Sequence, residues 1–428
     1  MVIGLAPAAH AADGTRAAQW ALTKYQATTK VWPHSKGKGV VVAVIDTGVR
    51  ATHVDLRGQV LPGKDFVHGG DGRHDYAPGL GEGTELAGII AGHGHGTGGA
   101  DGVMGLAPEA RILPIGIGGD YSKAVDDEPE AIRYAVDHGA SVITVPFGGV
   151  YSGTPLIQDA VAYAESHNTV VVASAGDDQQ PGKQYPASYP GVVSVGGANE
   201  DGTLWSKDNT MGAPLLIAPA SGIVSDAAGS DTAMGKGDSN AYATAYVAAT
   251  VALIRSAYPK LTAGQAVNFL IRGASLPSGL TAPDPQWGYG IAVPGEFGKW
   301  STLSPGPADG PLTQAKSPLP PADPTVPTPT QTGTTIQRAT AKAASTVPWI
   351  GGGALLVLLL IVVTTVVVRR RRQPAPPQAQ PQPPYQPPYQ QAPYHQPQFQ
   401  QPDPYAQFPQ GNAQGPQPPQ GQQPPYGG

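Results

Sequence analysis

Five short stretches hold the side chains of this 428-residue chain that are equipped for nucleophilic or acid–base chemistry. Asp46 closes the apolar run GVVVAVID, and Asp177 closes TVVVASAGD. Glu82 lies in GEGTELAGIIAG, His93 and His95 in GHGHGTGG, and Ser239 in GDS, just before a long run of small residues. A serine, an imidazole and a carboxylate brought together make an acyl-transfer site. The hydroxyl attacks a carbonyl, the imidazole takes its proton and the carboxylate orients the imidazole. The chain has no cysteine, which removes a thiol nucleophile, a thiolate metal site and any disulfide. GHGHGTGG reads as a flexible loop, and its histidine pair, two residues apart among glycines and without further ligands, is weak as a metal site. No metal and no cofactor is expected.

The elements that must position these residues are legible in the apolar pattern. The two runs ending in Asp46 and Asp177 are joined by ARILPIGI, ASVITVPFGG and GVVSVGGAN. None alternates with polar residues, which suits strands buried on both faces of a parallel sheet. Helical stretches such as TELAGIIAG and PLIQDAVAYAESHN fall between them. The expectation is an α/β fold, a doubly wound parallel sheet with helices on both faces. Ligand-binding loops of such sheets lie at the carboxyl ends of the strands, where Asp46, Gly148 and Asp177 fall.

Several motifs in order resemble the subtilases, the subtilisin-like serine proteases. VAVIDTGVRATHVDL resembles their aspartate motif, GEGTELAGIIAG their histidine motif and VITVPFGG their substrate-binding strand. VVVASAGDD resembles the strand that carries the oxyanion asparagine, SNAYATAYVAATVALIRSAYP the serine helix and QWGYGI the closing motif. The match runs from about Lys36 to Val293. The resemblance implies a subtilisin-like fold, and it assigns roles to positions. Asp46 takes the retained aspartate position. The histidine position is Glu82, because twenty-three residues separate it from Gly105, room for a helix, a turn and a strand; from His95 only ten remain. Asp177 takes the oxyanion asparagine position, and Phe147, Gly148 and Gly149 the substrate-binding strand, where Pro146 removes a backbone N–H. Two registers compete for the serine. GDS offers Ser239, but valine six residues on and proline eighteen residues on fit Ala241, with Val247 and Pro259. Ala241 is taken as the serine position and Ser239 as the alternative nucleophile.

With histidine, serine and oxyanion asparagine positions replaced, the resemblance implies a catalytically inactive pseudoprotease with a scaffold or peptide-binding role. The alternative is an active serine endopeptidase of subtilisin type, or of the Ser-Glu-Asp type found in sedolisins, which place a glutamate and an aspartate where this chain has Glu82 and Asp177. Sedolisins take their third carboxylate one helical turn beyond the glutamate, where this chain has Leu86.

Outside residues 14–300 the composition changes. Residues 1–13 resemble the end of a signal peptide, with Ala9 and Ala11 in an A-x-A arrangement. Residues 301–346 form a Pro/Thr/Ser-rich linker. Residues 347–368 are an uncharged apolar run which, at ~1.5 Å per residue, spans a ~30 Å hydrocarbon core as one transmembrane helix. Arg369–Arg372 follow at once and set the C-terminus inside. Residues 373–428 are a Pro/Gln/Tyr-rich tail, expected to be disordered and cytoplasmic. The expected location is the cell membrane, with the subtilisin-like domain extracytoplasmic. This organisation narrows the resemblance to mycosins, the membrane-anchored subtilases of type VII secretion in actinobacteria. It implies secretion-system membrane components or exported peptides as partners. A net charge of −5 gives no basis for nucleic acid binding.

Overall fold

The computed structural model describes residues 14–76, 82–118, 121–147, 153–177, 183–208 and 214–311. Two short helices, α1 (Thr15–Ala18) and α2 (Trp20–Lys24), lead through a π-helical turn at Ala27–Val31 to strand β1 (Val41–Asp46). Then come β2 (Lys64–Asp65), α3 (Gly83–Ala91), β3 (His93–His95), β4 (Asp101–Met104), β5 (Arg111–Gly116), α4 (Tyr121–Asp137) and β6 (Val142–Val145). The chain continues through α5 (Pro155–Ser166), β7 (Val170–Ser174), β8 (Val192–Ala198), β9 (Leu216–Pro219), β10 (Ile223–Asp226) and β11 (Met234–Gly237). It ends in α6 (Asn240–Ala257), α7 (Ala263–Gly273) and α8 (Phe297–Trp300).

Seven strands form one parallel sheet in the order β2-β5-β1-β6-β7-β8-β9. The doubly wound parallel sheet expected from the unalternated runs is what forms. Alternate residues of each strand feed opposite cores. Val42 and Val44 pack on one face with α3, α6 and α7, whereas Ala43 and Ile45 pack on the other with α4 and α5. Both sets must be apolar, so the strands read as continuous hydrophobic runs. The winding reverses at β1: the chain goes to β5 on one side of it and to β6 on the other. That is the switch point at which a crevice opens beyond the strand ends, and Asp46 is the last residue of β1.

Helix α6 crosses the first core. Every residue from Asn240 to Ile254 is buried. Alanines at 243, 245, 248, 249 and 252 let neighbouring elements close on it from several sides. Its interior hydroxyls, on Thr244 and Thr250, donate to the Asn240 and Tyr246 carbonyls at 2.8 Å and so need no outside partner.

Two details differ from the sequence reading. GHGHGTGG, expected to be a flexible loop after α3, contains strand β3, which pairs antiparallel with β4. Glycines 94, 96, 98, 99 and 102 all take positive φ, which lets so short a ribbon turn tightly. The body also continues past Trp300. Thr262 Oγ1, Gln265 Nε2 and Asn268 Nδ2 of the α7 region donate to the carbonyls of Ala308, Gly306 and Pro305.

Among the described residues no helix is long and apolar enough to cross a membrane. The apolar run at 347–368, the arginines and tail after it, the linker beyond residue 311 and residues 1–13 all lie outside the described residues.

The packing around α6 predicts that Ala249→Leu, which inserts three carbons at a fully buried position, destabilises the protein by ~1–3 kcal/mol through overpacking. Urea unfolding followed by tryptophan fluorescence measures this; an unchanged midpoint would mean that α6 is packed loosely.

Candidate functional site

The loops at the carboxyl ends of β1 and β7 and the N-termini of α3 and α6 bring Asp46, Glu82, Asp177 and Ser239 together. Asp46 is fully buried. Its Oδ1 accepts from the Thr47 amide (2.8 Å), the Thr47 hydroxyl (3.0 Å) and the Glu82 amide (3.1 Å). Thr47 Oγ1 also lies 3.0 Å from Asp75 Oδ1, and the other oxygen of Asp75 holds the Thr84 hydroxyl at 2.6 Å. Burial pushes the Asp46 carboxyl up to about 6, with the Asp75 charge adding to it, against the opposing hydrogen bonds of Thr47 and Glu82.

Glu82 occupies the position before the first residue of α3. Gly83 fixes it there. A Cβ on Gly83 would lie 2.0 Å from the Gly48 carbonyl oxygen, so only glycine lets α3 start against the loop leaving β1. Burial pushes the Glu82 carboxyl up to about 8, helped by the charges of Asp46, Glu85 and Asp177 and opposed by Ser239.

Ser239 caps α6. Its Oγ accepts from the Ala241 amide at 3.1 Å and stands 3.3 Å from Asp177 Oδ2 and 3.5 Å from Glu82 Oε2. One hydroxyl proton thus faces two carboxyl groups. Asp177 Oδ1 accepts from the Asn240 amide at 3.1 Å. Ala241, in the first turn of α6, is buried in the apolar core and carries no heteroatom. Phe147 follows β6, half-buried against the α4–α5 core; Gly148 and Gly149 lie outside the described residues. The histidines of GHGHGTGG stand elsewhere: His95 Nδ1 is 2.6 Å from Asp55 Oδ1, and His93 Nε2 is 3.0 Å from the Arg57 carbonyl.

Three participants escaped the sequence reading. Glu85, one turn into α3, accepts from the Tyr242 hydroxyl of α6 at 2.5 Å. Asp75 completes the threonine-bridged pair with Asp46. Asp208 accepts from Asn240 Nδ2 at 2.7 Å. Only Glu85 left a local signal, an acid at i+3 from Glu82 and so on the same face of the helix.

A carboxyl at about 8 is mostly protonated at neutral pH and cannot take a serine proton there. An ionised Asp177 accepts hydrogen bonds and has none to donate to an oxyanion. Chemically the floor of the crevice is an acid cluster organised around a serine that caps a helix.

Comparison with known proteins agrees with this architecture. Residues 37–290 match the model of the subtilase family. The thermophilic serine proteinase of Bacillus sp. (strain AK1) is 38% identical over 231 residues, covering 54% of this chain and 55% of that protein. The chain thus spans about half the length of that relative. Thermitase of Thermoactinomyces vulgaris is 36% identical over 245 residues, covering 56% of this chain and 82% of thermitase. Two solved structures are similar. One is described as MycP3 protease from the type VII (ESX-3) secretion system, with TM-score 0.57 and 26% identity over 68% of this chain and 90% of that one. The other is described as a serine protease MycP1, an essential component of the type VII (ESX-1) secretion system, with TM-score 0.56 and 28% identity over 68% and 89%.

The acid cluster predicts a pH dependence of known sign. Glu82 ionises near 4.3 in the unfolded chain and near 8 in the fold. The native state therefore binds the extra proton between those values, and the stability this confers, full below about pH 4, is lost as pH rises to 8. Glu82→Gln, a neutral mimic of the protonated acid, should leave the melting temperature almost unchanged at pH 4.5 and raise it at pH 8. Melting curves across this range check it; a variant less stable at pH 8 would place a needed charge on Glu82.

Proposed function

This chain belongs to the subtilase family, and on that premise we propose that it is a membrane-anchored member that does not hydrolyse peptides. Its role is that of a scaffold or peptide-binding component in a type VII-like secretion system. The observation that carries the reading is the constellation at the N-terminus of α6. The hydroxyl at the start of α6 belongs to the helix cap Ser239, between two carboxyl groups. Glu82 stands where a base is needed and holds its proton to about pH 8. Asp177 consumes the Asn240 amide and faces the Ser239 hydroxyl, where a carbonyl-stabilising donor is needed. The secretion-system role draws its support from the MycP structures, whose descriptions place those proteins in type VII systems. The anchor draws its support from residues 347–368 and the four arginines after them. Partners of this class are secretion-system membrane components or exported peptides.

A second reading has one observation in its favour. Ser239 lies within 3.5 Å of both Glu82 and Asp177, the residue types of a Ser-Glu-Asp protease. A base with its pKa at about 8 is ionised only in alkali, so such a site would fail at acid pH.

Exposure of the purified protein to a fluorophosphonate probe at pH 4, 7 and 9, with peptide mapping, separates the readings. No labelling is expected at any of the three, nor for Ala241→Ser alone, because the loss of one oxyanion donor already costs ~3 kcal/mol or more. Labelling of wild-type Ser239 would establish an active enzyme. The anchor has its own test: external protease added to intact protoplasts should digest residues 14–311 and spare the tail, and the reverse pattern would invert the topology.

A further inference from the structure

Away from the crevice floor, the loop after β1 and the β10–β11 hairpin bring three metal-ligand side chains together in the interior. His53, Asp55 and Asp226 place one ligand-type atom each within 4.8 Å of one another, and all three are fully buried. Their hydrogen bonds show what remains unused. His53 Nε2 lies 2.9 Å from the Ala233 carbonyl oxygen. Only an N–H satisfies a carbonyl, so the ring proton belongs on Nε2 and Nδ1 keeps its lone pair. That lone pair receives one long bond, 3.3 Å, from the Asp55 amide, and it faces Asp226 Oδ1 at 3.4 Å. Asp55 is held from outside the cluster, by His95 Nδ1 at 2.6 Å on Oδ1 and by the Val103 amide at 2.8 Å on Oδ2. Asp226 has no such support: both of its oxygens are shielded from water, and the group its carboxyl meets is that of Asp55, itself an acceptor unless the two share a proton. Acceptors thus converge without a donor, an arrangement that is costly in a buried site unless a cation or a proton fills it.

We propose that His53 Nδ1, Asp55 and Asp226 form a structural site for a first-row divalent cation of the zinc type. Two ligands of a tetrahedral zinc ion, each ~2.0–2.1 Å from the metal, stand about 3.4 Å apart; His53 Nδ1 and Asp226 Oδ1 are separated by 3.4 Å. With both Asp226 oxygens available the set reaches four donors, and its two carboxylates neutralise the ion. The surroundings are those that orient metal ligands: the second nitrogen of His53 donates to a carbonyl, and Asp55 is gripped by a second histidine. The imidazole selects against calcium, which takes six to eight oxygens. Room for the Asp226 carboxylate is kept by Gly88 of α3, where a Cβ would come within 2.7 Å of Asp226 Oδ2. The ion clamps the loop that follows Asp46 to the hairpin that runs into Ser239 and α6. The site is independent of whether the crevice is catalytic, and the competing occupant is a proton on Asp226.

The test is titration of the full chain, purified in detergent and stripped with a chelator, first with cobalt(II) and then with zinc. One equivalent of cobalt should bind with the visible bands of a four-coordinate ion and be displaced by one equivalent of zinc, with elemental analysis giving one zinc per chain. Asp226→Asn should keep the circular dichroism spectrum and weaken binding at least tenfold. Absence of uptake by the wild type would leave the proton as the occupant and overturn the proposal. So would uptake unchanged in Asp226→Asn, which would point to surface histidines, or uptake of calcium in place of zinc. The wild-type titration decides even if the variant does not fold.

Discussion

Asn240 holds the site together. Its side-chain amide donates to the Gly176 carbonyl and to Asp208 Oδ1, both at 2.7 Å, and its backbone amide donates to Asp177. One buried residue therefore joins the first turn of α6 to the strand end that carries Asp177 and to the loop that carries Asp208. The Ser239 amide adds a bond to the Ala220 carbonyl at 2.9 Å. Gly197 stays small for the same reason, since a Cβ there would come within 2.3 Å of Asn240 Oδ1. Removing the Asn240 amide would leave the Asp208 carboxylate buried without that donor, a cost of ~1–3 kcal/mol before any change in the position of Ser239.

The acid cluster follows from that anchorage. With α3 starting against Gly48 and α6 against Asp177, the half-buried Glu82 lies between Asp46, which its amide meets, and Ser239. Burial then outweighs the local hydrogen bonds and raises both carboxyls, Asp46 to about 6 and Glu82 to about 8, so that near neutral pH the pair divides into an ionised Asp46 and a neutral Glu82. Glu85 meets the same constraint differently: Tyr242 gives it a donor, so burial raises it against an opposing hydrogen bond. The fold accommodates these acids by protonation and by hydroxyl partners, which is the ordinary response of a low-dielectric interior to excess negative charge.

What the sequence made legible was whatever repeats locally. The parallel sheet could be read because strands buried on both faces lose the alternation of half-exposed ones, and Asp46 and Asp177 could be placed because each ends such a run. The α3 helix after Glu82 was legible from Leu86, Ile89 and Ile90, all buried as their spacing requires. Contacts between distant segments left no such trace. Asp226 is far along the chain from His53 and Asp55, and nothing around it in GIVSDAAG marks a ligand. The pairing of Tyr242 with Glu85 joins two helices whose separate patterns are both satisfied without it. The ribbon of β3 and β4 was read as a loop because its glycines signal turns, whereas a two-strand ribbon this short needs them at the turn itself.

The start of α6 shows why the proposed loss of hydrolysis and retention of the fold are compatible. A helix N-terminus presents free N–H groups and a partial positive charge, which favour an anion such as a developing oxyanion. In this chain those donors are already engaged: the Ala241 amide by the Ser239 hydroxyl and the Asn240 amide by Asp177. The anion that the helix end stabilises is thus a side chain of the protein. An incoming carbonyl would have to displace the half-buried Asp177 carboxylate that the Asn240 amide helps to hold. The same bonds that support the proposed loss of chemistry also cap the helix and fasten it to the sheet, so the fold does not depend on a working catalytic site.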